Sequence, residues 1–262
     1  MEHLKIFLAD LTYDTITLST DAFPLNIGFI GSYTKAQFGS NVEIKLFKYI
    51  QKLEDELERS PPDILGMSNY AWCYRVSREI SKIFLRLNPN GIIVWGGPNF
   101  PLDLPSQERF FSDNSVIDIY VPVEGEIGFA NIVKKALEVK SKDEFRNKML
   151  EDPIDGCITR LKNGKLQYST APIRTKQLDE IPSPYTTGIL DEFFDGKLAP
   201  MIQTNRGCPF SCTFCVDGSD LVNKINSFSI ERVKEELHYI AKRVTPNIHS
   251  MHISDLNFGM YP

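Results

Sequence analysis

The sequence predicts an α/β protein whose first part is an open, doubly wound parallel sheet. Short apolar segments alternate with amphipathic helical segments five times over the first 140 residues, as in folds that carry helices on both faces of a parallel sheet. Segments 63–68 and 91–95 are almost entirely apolar, which is typical of strands buried on both faces. With 262 residues, the chain is long enough for one large or two ordinary domains.

The individual elements follow that alternation. Residues 4–8 predict the first strand, and residues 24–38 predict a helix that opens at a proline and closes at Gly39. Segment 42–46 alternates apolar with charged residues, which predicts a strand with one solvated face near a sheet edge. The remaining segments predict helix 50–57, strand 63–68, helix 76–87, strand 91–95, strand 117–123 and helix 129–137.

Composition narrows the class of protein. The chain is 42% hydrophobic and 24% charged, with a formal net charge of −5, values of a soluble globular protein and not of a bulk nucleic-acid binder. No apolar run approaches the length of a membrane span, and the N-terminus lacks a signal-peptide layout. These features predict a cytoplasmic protein, whose thiols stay reduced.

Three of the five cysteines form a short cluster. Cys208, Cys212 and Cys215 lie within eight residues at a C-x3-C-x2-C spacing. Thiolates that close together repel one another and are readily oxidised unless a metal neutralises them. A closed zinc site takes four protein ligands, whereas an iron–sulfur cube held by three leaves one iron open. The spacing therefore predicts a metal site.

Other interpretations of these cysteines stay open at this point. A zinc knuckle would need a fourth ligand from His238, His249 or His252, none of which has a usual finger spacing. A disulfide would leave an odd cysteine and requires an oxidising compartment. Cys157 lies in the predicted hairpin and Cys73 just before the third predicted helix, and both are expected to be packing residues.

Three short motifs follow predicted strands at their carboxyl ends, where parallel sheets bind ligands. They are SNY at 68–70, GGPN at 96–99 and VEGE at 123–126. The alternative is that GGP makes a tight turn and that the two glutamates interact with a helix dipole. The candidate residues are Ser68, Asn69, Tyr70, Gly96, Gly97, Pro98, Asn99, Glu124, Gly125 and Glu126.

Together these motifs resemble a known family. The cysteine loop, with Phe214 before its last cysteine, resembles the cluster loop of radical S-adenosylmethionine enzymes. FPLNIGFIGSY, GGPN and VEGE ahead of it resemble the cobalamin-binding domain that precedes the barrel in one class of these proteins. The resemblance implies a [4Fe–4S] cluster held by the three cysteines, an open iron chelated by S-adenosylmethionine, and a corrin ring bordered by the three motifs.

The resemblance also implies further contacts and contains two departures. Phe214, Asp255 and Asn257 would lie beside S-adenosylmethionine, although an Asx turn explains Asp255 equally well. The chain has no D-x-H-x-x-G motif, so that cobalamin would bind without a histidine ligand. Where the family has GGPH, this chain has GGPN, and the amide of Asn99 is a poorer cobalt ligand.

We expect three regions along the chain. Residues 1–140 are predicted to form a Rossmann-like cobalamin-binding domain, and residues 141–199 a linker with a hairpin at 157–168 around a type I′ turn at Asn163-Gly164. Residues 200–262 would begin a TIM-like radical S-adenosylmethionine barrel, with strand 201–204, a helix capped by Ser229 and strand 248–253. That is room for about two βα units. We therefore expect the front part of a longer protein, and such a fragment need not be active by itself.

The predicted function is therefore reductive cleavage of S-adenosylmethionine to a 5′-deoxyadenosyl radical. The electron would come from a reductant protein such as a flavodoxin or ferredoxin, and cobalamin would carry a methyl group. Radical rearrangement and cyclisation are the other outcomes that the resemblance allows. Two alternatives are a non-catalytic cobalamin- or nucleotide-binding module with a zinc-stabilised loop, and a radical enzyme whose first domain binds no corrin. The substrate is not indicated.

Overall fold

A computed structural model describes residues 3–15, 17–169, 173–215 and 222–259. The chain divides into two compact units. Unit 1 comprises Met1–Thr20 and Tyr33–Arg174, and unit 2 comprises Asp21–Ser32 and Thr175–Pro262. Within the described residues, no helix is long and apolar enough to cross a membrane.

Unit 1 is built on a mostly parallel sheet. Its strands are β1 (Leu4–Thr12), β2 (Val42–Tyr49), β3 (Ile64–Ser68), β4 (Ile92–Gly96), β5 (Ile119–Val121), β6 (Ile158–Arg160) and β7 (Leu166–Tyr168). The spatial order is β2-β1-β3-β4-β5-β6-β7, and β1 to β5 are mutually parallel. The predicted parallel strands are confirmed, and β2 lies at the edge as its alternating pattern indicated. The strand order reverses between β1 and β3, the point at which such sheets bind ligands.

The sheet has seven strands where the sequence predicted five. The hairpin β6–β7, assigned to a linker, pairs antiparallel with β5 and so extends the sheet. Its turn also differs from the prediction, because Asn163 is not among the described residues with positive φ whereas Gly164 has φ 78°. With the Gly164 N–H bonded to the Leu161 carbonyl, the loop is a type I turn followed by a left-handed glycine, the usual three-residue hairpin.

Helices separate the parallel strands. They are α1 (Leu25–Phe38), α2 (Ile50–Arg59), α3 (Tyr74–Leu87), α4 (Leu104–Asp113), α5 (Gly125–Glu138) and α6 (Phe145–Met149). The sequence did not predict α4 or α6. Helix α4 has few apolar positions facing the core, and its start depends on the Asp103 side chain, which accepts a hydrogen bond from the Ser106 N–H.

An ion pair between a partly buried arginine and a buried carboxylate holds the segment after α5 against the sheet. Arg146 on α6 donates to both carboxylate oxygens of Asp118, which also accepts the Ile93 N–H at 2.9 Å. Burial raises the pKa of the Asp118 carboxyl to about 6, against the opposing effect of Arg146. Arg160 on β6 donates to backbone carbonyls at the end of α4. These bonds explain why residues beyond 140 form part of unit 1.

Unit 2 contains a parallel strand pair with a helix between its strands. The elements are β8 (Met201–Ile202), β9 (Asn205–Arg206), β10 (Asn226–Ser227), α7 (Ile230–Ala241) and β11 (His252–Ile253). β8 pairs parallel with β11, and β9 pairs antiparallel with β10. Ser229 caps α7 as predicted, accepting the Arg232 N–H at 3.2 Å. Within α7, Ile240 and Glu236 are buried whereas Ile230 is exposed.

Candidate functional site

The predicted ligand residues of unit 1 lie at one edge of the sheet, which we call the carboxyl edge. Ser68 is the last residue of β3 and Gly96 the last residue of β4. Glu124 precedes the first turn of α5, which directly follows β5. Because β3, β4 and β5 are parallel neighbours, all three motifs end at the same edge, as a site there requires.

Two asparagines join the loops after β3 and β4. The Asn99 N–H donates to the Asn69 carbonyl at 3.1 Å, and the Asn99 amide nitrogen donates to Asn69 Oδ1 at 3.2 Å. In return, Asn69 Nδ2 donates to the Asn99 carbonyl at 2.6 Å. Asn69 is fully buried, whereas Asn99 is exposed. The loop that carries Asn99 is therefore fixed to the loop that follows β3.

Tyr120 is a member of this network that sequence reasoning missed. Its hydroxyl donates to the Gly97 carbonyl at 2.6 Å and accepts from Asn69 Nδ2 at 3.1 Å. Its ring stacks on Phe100 with centroids 3.9 Å apart. In the sequence, Tyr120 is an aromatic residue inside a predicted buried strand. Nothing in the neighbouring residues distinguishes it from an aromatic side chain that only fills the core.

The loop between β5 and α5 is strained. Val123 has φ 64°, a conformation that is rare for a β-branched residue because its side chain clashes with the backbone. The next residue, Glu124, accepts a hydrogen bond from Arg174 Nε at 2.9 Å, and both side chains are largely buried. Glu126 is buried in the first turn of α5. Strain of this kind is commonly retained at binding sites.

Five exposed apolar side chains lie in, or at the end of, the segments that follow four of the parallel strands at the carboxyl edge. Tyr13 follows β1, Trp72 follows β3, Leu102 and Leu104 follow β4, and Val123 follows β5. These five residues, the apolar rim, are between 37% and 59% exposed. Trp72 stacks on Tyr70 with centroids 4.5 Å apart and planes 7° apart. Apolar surface concentrated at one end of a sheet marks a binding surface.

In unit 2, the cysteine loop connects the two strands of a short antiparallel pair, β9 and β10. β9 leads into Cys208 and β10 follows the loop, so the two strands hold its ends together. The Cys208 N–H donates to the Val222 carbonyl at 2.9 Å. Gly207 has φ 106°, and a Cβ there would lie 2.2 Å from the Lys224 carbonyl oxygen. The positive φ and the close approach to the Lys224 carbonyl together favour glycine at position 207.

The three thiols are accessible but do not converge. Cys208 is partly exposed, Cys212 and Cys215 are exposed, and all described cysteines are free. In the part of the chain that the structure describes, no three His, Cys, Asp or Glu side chains are arranged to hold a metal ion. Residues 216–221 lie outside the described ranges. Phe214 is 92% exposed, so its ring does not fill space beneath the loop.

Asp255 supports the start of the cysteine loop. Its carboxylate accepts the Thr204 N–H at 2.7 Å and Asn205 Nδ2 at 3.0 Å, and it also bonds the Thr204 hydroxyl. This carboxylate joins the end of β11 to the residues just before the cluster motif. Asn257 differs, because its buried Nδ2 has no hydrogen-bond partner among the described residues.

An aromatic and guanidinium stack lies below the same loop within unit 2. Phe29 stacks on Phe228 with centroids 5.6 Å apart. The Arg206 guanidinium lies 5.1 Å from the Phe29 ring centre, and Arg232 lies 5.3 Å from that of Phe228. Cation–π contacts of this kind hold flat groups in place. The stack could not be predicted from the sequence, because its members are far apart along the chain.

Replacing Gly207 with alanine is expected to destabilise the start of the cysteine loop, where Gly207 approaches Lys224. Positive φ and the approach to the Lys224 carbonyl should together cost about 2–4 kcal/mol of local stability. The measurement is the rate of tryptic cleavage after Arg206 and Lys224. Gly259→Ala is the control, because Gly259 has φ 73° with nothing within 4 Å of the added carbon. Equal cleavage rates in both variants would contradict the role given to Gly207.

No protein-family model matches the chain. Among curated proteins, it is 27% identical over 255 residues to the "Cobalamin-dependent radical SAM methyltransferase TokK" of Streptomyces tokunonensis, covering 91% of this chain and 34% of that protein. It is 29% identical over 213 residues to the "2-(S-pantetheinyl)-carbapenam-3-carboxylate methyltransferase" of Streptantibioticus cattleyicolor, covering 77% of this chain and 28% of that protein. The chain thus spans about a third of the length of these relatives.

Solved structures share the fold. The enzyme OxsB with aqua-cobalamin and S-adenosylmethionine bound matches 98% of this chain and 34% of its own, with a TM-score of 0.69 and 20% identity. The methyltransferase TsrM from Kitasatospora setae, with cobalamin and a [4Fe–4S] cluster bound, matches 98% of this chain and 48% of its own, with a TM-score of 0.63 and 16% identity. At these sequence identities, the likeness shows a shared fold and nothing more.

Proposed function

We propose that this chain, a relative of the cobalamin-dependent radical S-adenosylmethionine methyltransferases as its sequence predicted, carries two cofactor sites of such an enzyme. One is the cysteine loop of unit 2 and the other is the carboxyl edge of unit 1. The observation that carries the proposal is the loop of three free, solvent-accessible thiols that directly follows β8 and β9. Three thiolates are the donor set of a cube with one open iron.

Cys208, Cys212 and Cys215 are the proposed cluster ligands. Their thiols are free and accessible, so the donor set fits. Cluster binding would draw the three thiolates together, because metal binding commonly couples to the folding of the segment that carries the ligands. When bound, the cluster supplies one electron for cleavage of S-adenosylmethionine to methionine and a 5′-deoxyadenosyl radical. A small reductant protein of the flavodoxin or ferredoxin class would deliver that electron.

We propose different roles for Asp255, Asn257 and Phe214, based on the contacts and exposure of each side chain. The Asp255 carboxylate is occupied by Thr204 and Asn205, so we assign it to positioning the loop and not to direct contact with S-adenosylmethionine. Asn257 Nδ2 is buried and unpaired among the described residues, which makes it the donor offered to a carboxylate or hydroxyl of that ligand. Phe214, beside Cys215, is free to meet the adenine.

The carboxyl edge of unit 1 is the proposed cobalamin site. A corrin is flat and carries apolar faces with amide side chains, so it suits exposed apolar residues beside polar loop backbone. The apolar rim and the loops at Ser68–Tyr70, Gly96–Asn99 and Glu124–Glu126 provide that combination. Cobalamin, when bound, supplies the methyl group, and the methyltransferase relatives favour methyl transfer over rearrangement or cyclisation.

The β8-α7-β11 arrangement supports the barrel part of the proposal. Two parallel neighbouring strands joined through a helix are the repeating unit of a TIM-like barrel. Both the cysteine loop and Asp255 follow the carboxyl ends of these strands, where barrels of this kind place their sites. The substrate itself is not assigned.

Cofactor analysis of the full 262-residue chain tests the proposal. After anaerobic reconstitution with iron and sulfide, we expect about four of each per chain, and equilibrium dialysis should show saturable binding of hydroxocobalamin. Stoichiometric zinc with no iron would support a zinc-stabilised binding module instead. Iron and sulfide without hydroxocobalamin binding would support a radical enzyme whose first unit binds no corrin.

A further inference from the structure

The loop that follows β4 is held by a set of buried and partly buried hydrogen bonds among Asn69, Tyr120 and Asn99, which we call the clamp. We propose that the clamp is a positioning device that sets the conformation of residues 96–100 before cobalamin binds, with Tyr120 and Asn69 as its essential members. The identity of the ligand rests on the proposed function, whereas the clamp itself is a property of the apoprotein.

Asn69 uses all of its polar groups in this set. Its N–H donates to the Gly96 carbonyl at 2.6 Å, and its own carbonyl accepts the Asn99 N–H at 3.1 Å. Its side-chain nitrogen reaches both the Asn99 carbonyl and the Tyr120 hydroxyl, and its Oδ1 accepts from Asn99. A buried polar network in which every member is paired rigidifies the segments it joins.

Tyr120 fixes the same loop by two different interactions. The hydroxyl donates to the Gly97 carbonyl, and the ring stacks on Phe100 on the other side of the Pro98-Asn99 tip. Burial raises the pKa of the Tyr120 phenol far above its ordinary value, so the hydroxyl stays protonated and remains a donor. Tyr120 therefore holds both ends of a four-residue loop whose tip is exposed.

The clamp gives a structural role to Asn99, the residue at which this chain departs from the GGPH pattern. Asn99 commits its side-chain nitrogen and its backbone N–H to Asn69. Residue 99 is thus a partner in holding the loop, and the side-chain amide of an asparagine supplies the N–H donor that Asn69 Oδ1 accepts. A site held in its bound conformation loses less conformational entropy on binding, which strengthens affinity.

The test compares Tyr120→Phe with a matched tyrosine. Tyr120→Phe keeps the ring on Phe100 and removes only the hydroxyl. Tyr185→Phe is the control, since Tyr185 is also fully buried and its hydroxyl also bonds a backbone carbonyl at 2.6 Å, that of Met201 in unit 2. We expect the dissociation constant of hydroxocobalamin to rise about tenfold in Tyr120→Phe and to stay unchanged in Tyr185→Phe.

A second readout needs no cofactor. Hydrogen–deuterium exchange of the apoprotein should be faster across residues 96–100 in Tyr120→Phe than in the wild type or in Tyr185→Phe. Asn69→Ala should produce the same acceleration, and the double variant should add little, because residues of one network do not act independently.

The outcomes separate the clamp from the proposed function. If the wild type does not bind hydroxocobalamin, the proposed ligand is wrong, and the exchange experiment still decides whether the clamp exists. If the wild type binds and Tyr120→Phe binds equally well, the clamp is not a positioning device. Unchanged exchange across residues 96–100 in both Tyr120→Phe and Asn69→Ala would overturn it outright.

Discussion

Cys212→Ala is expected to abolish assembly of the [4Fe–4S] cluster. The loop offers three free thiols, and the described residues contain no other group of three His, Cys, Asp or Glu side chains that could hold a metal instead. A cube left with two protein ligands exposes two irons and is lost during desalting. Iron content after anaerobic reconstitution should therefore fall at least about tenfold, and cleavage of S-adenosylmethionine should disappear with it.

Cys157→Ala provides the matched control, because it removes a thiol that is buried outside the loop. The Cys157 thiol contacts the Gly128 carbonyl at 3.5 Å, and burial raises its pKa to about 12, so it is not a metal-binding thiolate at neutral pH. Its removal should cost some stability and leave the iron content intact. A Cys212→Ala protein that keeps its cluster and its cleavage activity would refute the ligand assignment.

Gly97→Ala is expected to eliminate hydroxocobalamin binding. Gly97 has φ 126°, and an added Cβ would lie 2.8 Å from the Asn69 carbonyl oxygen. The backbone strain alone costs about 1–3 kcal/mol, and the clash is with backbone held inside the clamp, which cannot move aside. The loop should therefore shift, and the dissociation constant should rise by at least about a hundredfold, as measured by equilibrium dialysis.

Gly164→Ala isolates the contribution of the clash. Gly164 also has positive φ, at 78°, yet nothing lies within 4 Å of an added carbon. It lies in the β6–β7 turn, and β5 and β6 separate that hairpin's outer strand from β4 in the sheet. This variant should be slightly less stable than the wild type and should bind hydroxocobalamin with the same dissociation constant. Loss of binding in both variants would mean that general destabilisation, and not the geometry of residue 97, governs the site.

The strand and helix alternation made the parallel part of the sheet predictable. The segments that became β3 and β4 are apolar along their whole length, and their bounds in the structure are within a residue or two of the predicted ones. Helix α4 was missed because it starts from an Asp103 cap and carries little apolar periodicity. The pairing of the hairpin with β5 was missed because a hairpin pattern does not specify which sheet edge it extends.

The same distinction applies to the candidate sites. Residues that end strands or share a short motif, such as the three cysteines and Asn99, could be identified from spacing. Tyr120, Arg174 and Phe29 could not, because their roles depend on partners distant in sequence: Tyr120 on Asn69, Arg174 on Glu124, and Phe29 on Phe228. Only the fold brings these pairs together.

Electron paramagnetic resonance of the anaerobically reconstituted, reduced chain distinguishes a cluster with an open iron from other metal sites. We expect a reduced [4Fe–4S] signal that changes when S-adenosylmethionine is added, because one iron of a three-cysteine cluster is open to that ligand. A cluster signal indifferent to S-adenosylmethionine, or bound zinc in place of a cluster, would contradict this assignment.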